Sequence, residues 1–240
     1  MIRSAGPPGR IVEIGAGISA LAPGLLWLHP SRTLVAADVH LGYEDVVGSA
    51  LPLWSTAGAI ATLLTAVRSM QAHEVLLLGD AIHGARMSEG AAREVRAGLD
   101  VLRDAATLTI VAGNHEGRSR GAAVLGQTVE SAERDGWLLL HGDRSPKIPQ
   151  RCILGHLHPS LSLGGDVWVP AFLAGRHAIV VPALTPYSNG LDVASGETLR
   201  ALRPFNVGSR RDVQVVAVTD GKCYPFGTLS ELCKAMRALA

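Results

Sequence analysis

The chain has 240 residues, enough for one large α/β domain with a substantial core. A formal charge of +1 with 18% charged residues excludes recognition of nucleic acid or a membrane through a broad basic surface, so such partners must be met by local groups. No run of about 18 apolar residues is present and Met1 to Arg10 lacks the apolar stretch of a signal sequence, which together point to a cytoplasmic protein with no membrane partner.

Residues 1–10 read as a flexible tail and 11–240 as a single domain, because no repeat or low-complexity linker marks a boundary. Ile11 to Ile14 then runs into Gly15-Ala16-Gly17-Ile18-Ser19-Ala20, which imitates a dinucleotide fingerprint, with Asp38 placed where a ribose-binding acid would stand. That fingerprint requires a helix next. Instead Pro23-Gly24 and His29-Pro30 bracket Leu25 to Leu28, which predicts antiparallel strands joined by turns.

Thr33 to Ala37 reads as a strand that stops at Asp38-Val39-His40. From Thr56 to Met70 the positions Ile60, Leu63, Leu64 and Val67 recur at helical spacing. The aliphatic run Val75-Leu76-Leu77-Leu78 follows, a strand buried on both faces that ends at Gly79-Asp80 and is expected to present Asp80 for chemistry rather than bury it. A second helix is predicted from about Ser88, with Glu89 to Arg103 behind it and Val95, Leu99 and Leu102 inward. Leu108 to Ala112 completes a strand and helix alternation that argues for parallel strands.

After Glu116 the chain turns β-rich. Trp137 to His141, Arg151 to Gly155, Val167 to Val169, His177 to Val181 and Val213 to Val218 read as strands, and Leu229 to Leu239 as a closing helix. Cys152, Cys223 and Cys233 have no metal-ligand spacing and are expected to be free and buried. His29, His73 and His177 read as structural or solvent-facing, and Arg210-Arg211 as a charged turn.

The strand ends together supply Asp38, His40, Asp80, Asn114, His141, His156 and His158, a set of carboxylate, amide and imidazole donors without thiolate. Such donors suit two hard or borderline divalent ions and argue against a structural zinc site. The ordered series D-x-H, G-D, G-N-H-E, H-G and G-H-x-H resembles that of the calcineurin-like metallophosphoesterases, over about Leu34 to His158. The resemblance implies an α/β fold, a β-sandwich flanked by α-helices (αββα). It also implies that Asp38, His40 and His158 hold one metal and Asn114, His141 and His156 the other, with Asp80 bridging. His115 would be a non-ligand that stabilises the transition state or protonates the leaving oxygen, and Glu116 stands where the family commonly has Asp.

Leu41-Gly42-Tyr43-Glu44, His83 and the segment Val181 to Val193 are similar to the branch of phosphoesterases associated with DNA ligase or helicase genes. That likeness implies a phosphodiesterase or nuclease linked to DNA repair, with DNA as substrate and a functional link to a ligase or helicase. His83 and Arg118, with Arg120, become candidate phosphate contacts, and Glu116 a group that orients its neighbours. The expected cofactors are two divalent ions: manganese is the first choice, and iron, magnesium, nickel, cobalt or zinc are alternatives. A phosphomonoesterase, or a hydrolase of small nucleotides or lipids, is the alternative on the same site. A non-catalytic metal-binding module and a dinucleotide-dependent oxidoreductase are the rival classes.

Overall fold

The proline and glycine turns near the start set the architecture in this computed structural model, which describes residues 8–47, 55–84, 87–114, 122–146, 150–185 and 190–239. Strands β1 (Ile11–Gly15), β2 (Ile18–Leu21), β3 (Leu25–Leu28) and β4 (Thr33–Ala37) form an antiparallel run, as the turns predict. The second glycine of the fingerprint-like segment, Gly17, has φ +70 and closes the β1 to β2 hairpin. A strand thus follows it where a nucleotide site needs a helix, and the dinucleotide reading is overturned. Gly9, within the stretch expected to be a flexible tail, pairs with Cys223 through two backbone hydrogen bonds of 3.1 and 2.7 Å.

After the short helix α1 (Tyr43–Val47), the helix α2 (Thr56–Met70), β5 (Glu74–Leu78), α3 (Glu89–Ala105) and β6 (Thr107–Val111) extend the sheet in parallel, in the order β1-β2-β3-β4-β5-β6. The longer helices start at side-chain caps: Ser55 Oγ accepts from Gly58 N, and Ser88 Oγ accepts from Ala91 N. Their inner positions, among them Ile60 and Leu63, Val95, Leu99 and Leu102, are buried as the spacing predicts. Ala37, Leu78 and Val111 are register partners, so three parallel strands stop in step and hand the residues after them to one edge.

The second sheet contains β7 (Ser131–Arg134), β8 (Trp137–Leu140), β9 (Cys152–Leu154), β10 (Ser160–Ser162), β11 (Trp168–Ala174), β12 (Ala178–Val180), β13 (Gln214–Thr219) and β14 (Lys222–Thr228). Its order is β14-β13-β11-β12-β9-β8-β7, with β10 paired to β11, and β8, β9 and β12 are parallel. Helices α4 (Gly196–Leu202) and α5 (Leu229–Leu239) cover its outer face. Strand alternation sorts the core: Leu34, Ala36, Val75 and Leu77 pack on α2 and α3, whereas Val35, Ala37, Leu76 and Leu78 meet Ile153, Phe172 and Ile179 of the other sheet. The result is a β-sandwich flanked by helices.

Sequence patterning did not reveal β7, β10, β14 or α4. β7 is a polar edge strand, β10 has three residues, β14 contains Pro225, and α4 is two turns long with Ser195 as its cap. The three cysteines are free and buried. Among the described residues no helix is long and apolar enough to cross a membrane.

At the foot of β5 the Glu74 carboxylate accepts from Arg134 Nε and Nη2, each 2.7 Å away, and from the Thr33 and Thr109 hydroxyls. Burial pushes the Glu74 carboxyl up, but the bonds from Arg134, Thr109 and Thr33 outweigh it and hold the group below its ordinary range. A depressed carboxyl stabilises the fold above its unfolded pKa, and this contribution is lost as pH falls through the folded value. Arg134→Ala should therefore cost about 2–3 kcal/mol at pH 7. The gap to wild type should narrow in acid, as read by urea unfolding at both pH values.

Candidate metal centre

The in-step strand ends bring together the donors that the sequence separates. Asp38 and His40 follow β4, Asp80 follows β5, and Asn114 follows β6 from the first sheet; His141 follows β8, and His156 and His158 follow β9 from the second. Nitrogen and oxygen atoms of Asp38, His40 and His158 lie within 4.8 Å of one another, as do those of Asp80, His141 and His156. Asn114 joins the second group, its Oδ1 2.8 Å from His141 Nε2. A depression of about 730 Å³ beside Arg32, Arg68 and His73 lies at the other end of the strands and includes none of these residues.

Asp80 is only 2% exposed and Asp38 0%, which corrects the expectation that the strand end would leave Asp80 presented to solvent. The second sheet closes over the strand ends of the first and covers both carboxylates. The backbone bends sharply to achieve this. Asp38, His40, Asp80, His156 and His158 all have positive φ, between 43 and 63. For residues with a Cβ this left-handed conformation costs on the order of 1 kcal/mol or more each, and it persists where the surroundings over-determine it.

Glycines supply the room. A Cβ at Gly79 would collide with the His141 ring, at Gly113 with the Asp80 carboxylate and backbone nitrogen, at Gly155 with Asp38 Oδ2 and Ala37, and at Gly190 with the His158 carbonyl. The first three glycines are readable in the sequence as neighbours of the polar residues. Their role as spacers across the sandwich, and that of Gly190, required the three-dimensional contacts.

The donor set fits divalent cations. His141 Nε2 lies 2.8 Å from Asn114 Oδ1, 3.1 Å from His156 Nδ1 and 3.4 Å from Asp80 Oδ2. One ring proton cannot serve three such neighbours, whereas a cation between them meets all of them. Asp38 Oδ1, buried and 3.2 Å from His158 Nε2, has no hydrogen-bond donor among the described residues, while Oδ2 accepts from His156 N at 2.8 Å. Burial pushes the His40 ring down to about 4, so it is neutral near pH 7 with a lone pair to offer. Burial and then the neighbouring His141 also lower His156. Burial lowers His141 too, but the hydrogen bond and charge of Asp80, with Asp38 behind, prevail and raise it.

His83 lies beside this group, its ring 5.2 Å from that of His40 and 4.3 Å from that of Tyr43. Sequence reasoning quoted Tyr43 only as part of a motif; its packing on His83 is visible only in the fold. The two come from separate segments: Tyr43 opens α1, which is pinned to the longer helices by Glu44 Oε1 accepting from Thr56 N and Asp45 Oδ2 accepting from Ser88 N, and His83, after β5, donates its backbone N–H to Leu41 O. His115, Glu116, Arg118 and Arg120 lie outside the described residues, as does 186–189 of the late segment. His29 bonds Ser19 Oγ at 2.9 Å, and Arg210 Nη2 donates to Ala194 O. Gly113→Ala should displace Asp80, destabilising the protein by roughly 1–3 kcal/mol and lowering its manganese uptake. Gly196→Ala, where a Cβ meets nothing, is the control; urea unfolding and elemental analysis give the two readings.

No curated protein sequence matches this chain. Among solved structures, the nuclease MPE of Pseudomonas putida is similar in fold, with a TM-score of 0.66 at 19% sequence identity over 87% of this chain and 94% of that one. The model of the calcineurin-like phosphoesterases matches residues 31–206. That span takes in every strand end that delivers a donor to the centre, and the chain belongs to the calcineurin-like phosphoesterase family.

Proposed function

We propose that the chain is a dinuclear phosphodiesterase that cleaves nucleic acid. Asp38, His40 and His158 would hold one divalent ion, Asn114, His141 and His156 the other, and Asp80 would stand between them. The observation that carries this reading is the convergence of the two groups of donors at one end of the sandwich. Thiolates take no part, because Cys152 and Cys223 are buried elsewhere with burial pushing their thiols up to about 11. Oxygen and nitrogen donors leave manganese, iron and other divalent ions as candidates, with availability deciding among them.

When bound, two divalent ions supply Lewis acidity toward phosphoryl oxygens and lower the pKa of water. The chain's own task is to fix where that chemistry acts. Asp80 has two carboxylate oxygens and so can face both groups of donors, whereas each imidazole offers one nitrogen lone pair. The family resemblance supports His115, next to Asn114 in sequence, as the group that donates a proton to the leaving oxygen. Reading the substrate as a diester rests on the motifs Leu41 to Glu44 and His83, similar to the ligase- or helicase-associated branch, and on the nuclease named among the structural neighbours.

Metal analysis tests the centre. Wild type should take up two manganese ions, Asp80→Asn fewer, and His115→Ala the full number with turnover reduced on the order of 10²–10⁴-fold. Equal uptake by wild type and Asp80→Asn would contradict the bridging role.

The substrate is tested with manganese present on single- and double-stranded DNA, a chromogenic diester and the matching monoester. DNA and the diester should be cleaved in preference to the monoester, and Asp80→Asn should be inactive on all of them. Cleavage of the monoester alone would leave the family assignment standing and sink the nuclease reading.

A further inference from the structure

We propose that Trp168 is a stacking platform for an unpaired base of a single-stranded nucleic acid held at the metal centre; this rests on the nuclease reading above. β12 runs parallel to β9 and antiparallel to β11, so β11 begins at the end of the sheet where β9 delivers His156 and His158. β10 starts two residues after His158, and it pairs Ser160 with Pro170 and Ser162 with Trp168. By strand geometry Trp168 stands about 7 Å beyond the level of Ser160, and β11 lies roughly 10 Å across the sheet from β9.

Alternation along β11 decides which way its side chains face. Val169, Ala171 and Leu173 pack in the outer core with the helices, and Phe172 and Ala174 in the core between the sheets. Pro170 and Trp168 therefore continue the inner face past the end of that core, on the side where the metal donors gather. The hairpin tip stands clear of the body: Leu163 is 60% exposed and Val167 56%. Trp27 and Trp137 are buried, whereas Trp168 is half-buried.

A pair of metal sites recognises phosphoryl oxygens and is blind to the rest of the substrate. In a chain of net charge +1, affinity for a strand cannot come from a broad basic surface. An aromatic face on the same side as the metal donors supplies the missing contact without charge, since every base has a π-face and stacking tolerates sequence. Asp166, at the hairpin tip, would repel a phosphate backbone, which also favours base contact over backbone contact there.

The test compares manganese-dependent cleavage of a single-stranded oligonucleotide with that of an otherwise identical strand carrying abasic residues at its centre. Wild type and Trp168→Phe should prefer the base-bearing strand, with a lower KM. In Trp168→Ala that preference should collapse through a rise in KM on the order of 10-fold, the scale of one lost base stack. Should Trp168→Ala not fold, Trp168→Leu keeps bulk without a π-face and should behave in the same way. An intact preference in the Ala or Leu variant, or an equal loss on both strands, overturns the role of Trp168 alone. Wild type that cleaves neither strand overturns the nuclease reading and this inference with it.

Discussion

The Asp38 carboxylate joins the two halves of the molecule. It belongs to the first sheet, is shut off from solvent, and accepts a 2.8 Å hydrogen bond from the backbone of His156 in the second. His158 Nε2 lies 3.2 Å and His141 Nδ1 3.8 Å from its other oxygen. A buried carboxylate is costly unless donors or cations surround it. The sandwich meets that cost by bringing both sheets to the same point: Val181 N donates to Leu154 O, and three residues later Leu184 N donates to Ala37 O, tying β12, β9 and β4 together beside the site.

The same constraint explains the conformational irregularity. A strand that continued past Asp38 or Asp80 would alternate its side chains across the sheet, so the polar groups could not converge. Left-handed turns at five donors and glycines at their backs end the strands and leave space for rings from across the sandwich. Packing against both sheets is what holds residues that carry a Cβ in that conformation. β5 shows the division of labour along a single strand. Glu74 and Arg134 form a bonded ion pair at its foot, where stability is the product, and Asp80 at its head stands among the grouped donors, 3.4 Å from His141 Nε2.

In the proposed reading, substrate choice would be set outside this machinery. A pair of metal sites would be indifferent to what a phosphoryl group is attached to, so selection would fall on the rim. One side of that rim would be α1, with Tyr43 packed on His83 from the segment after β5, pinned to the starts of two helices by Glu44 and Asp45. The other would be the β10 to β11 hairpin, whose first strand starts two residues after His158. With overall charge near neutral, specificity in the proposed reading rests on these local surfaces rather than on a long-range field.

The amino-acid sequence by itself determined the early antiparallel turns, the helices 56–70 and 89–105 with their inner faces, the parallel strands, and the polar residues at their ends, because apolar periodicity and proline or glycine punctuation are local properties. Local pattern was too weak for the strand 131–134, whose polar side chains lie on a sheet edge, and for the strand 222–228, interrupted by Pro225. It also misjudged Asp80, since a strand end is open or covered according to what another sheet places over it. Only the tertiary structure decided that Asp38 and Asp80 are buried, that His141 Nε2 is where Asn114, His156 and Asp80 meet, and that Gly113 and Gly190 are spacers. Each of these depends on the distance between segments remote in the chain, and that distance is fixed by the packing of one sheet on the other.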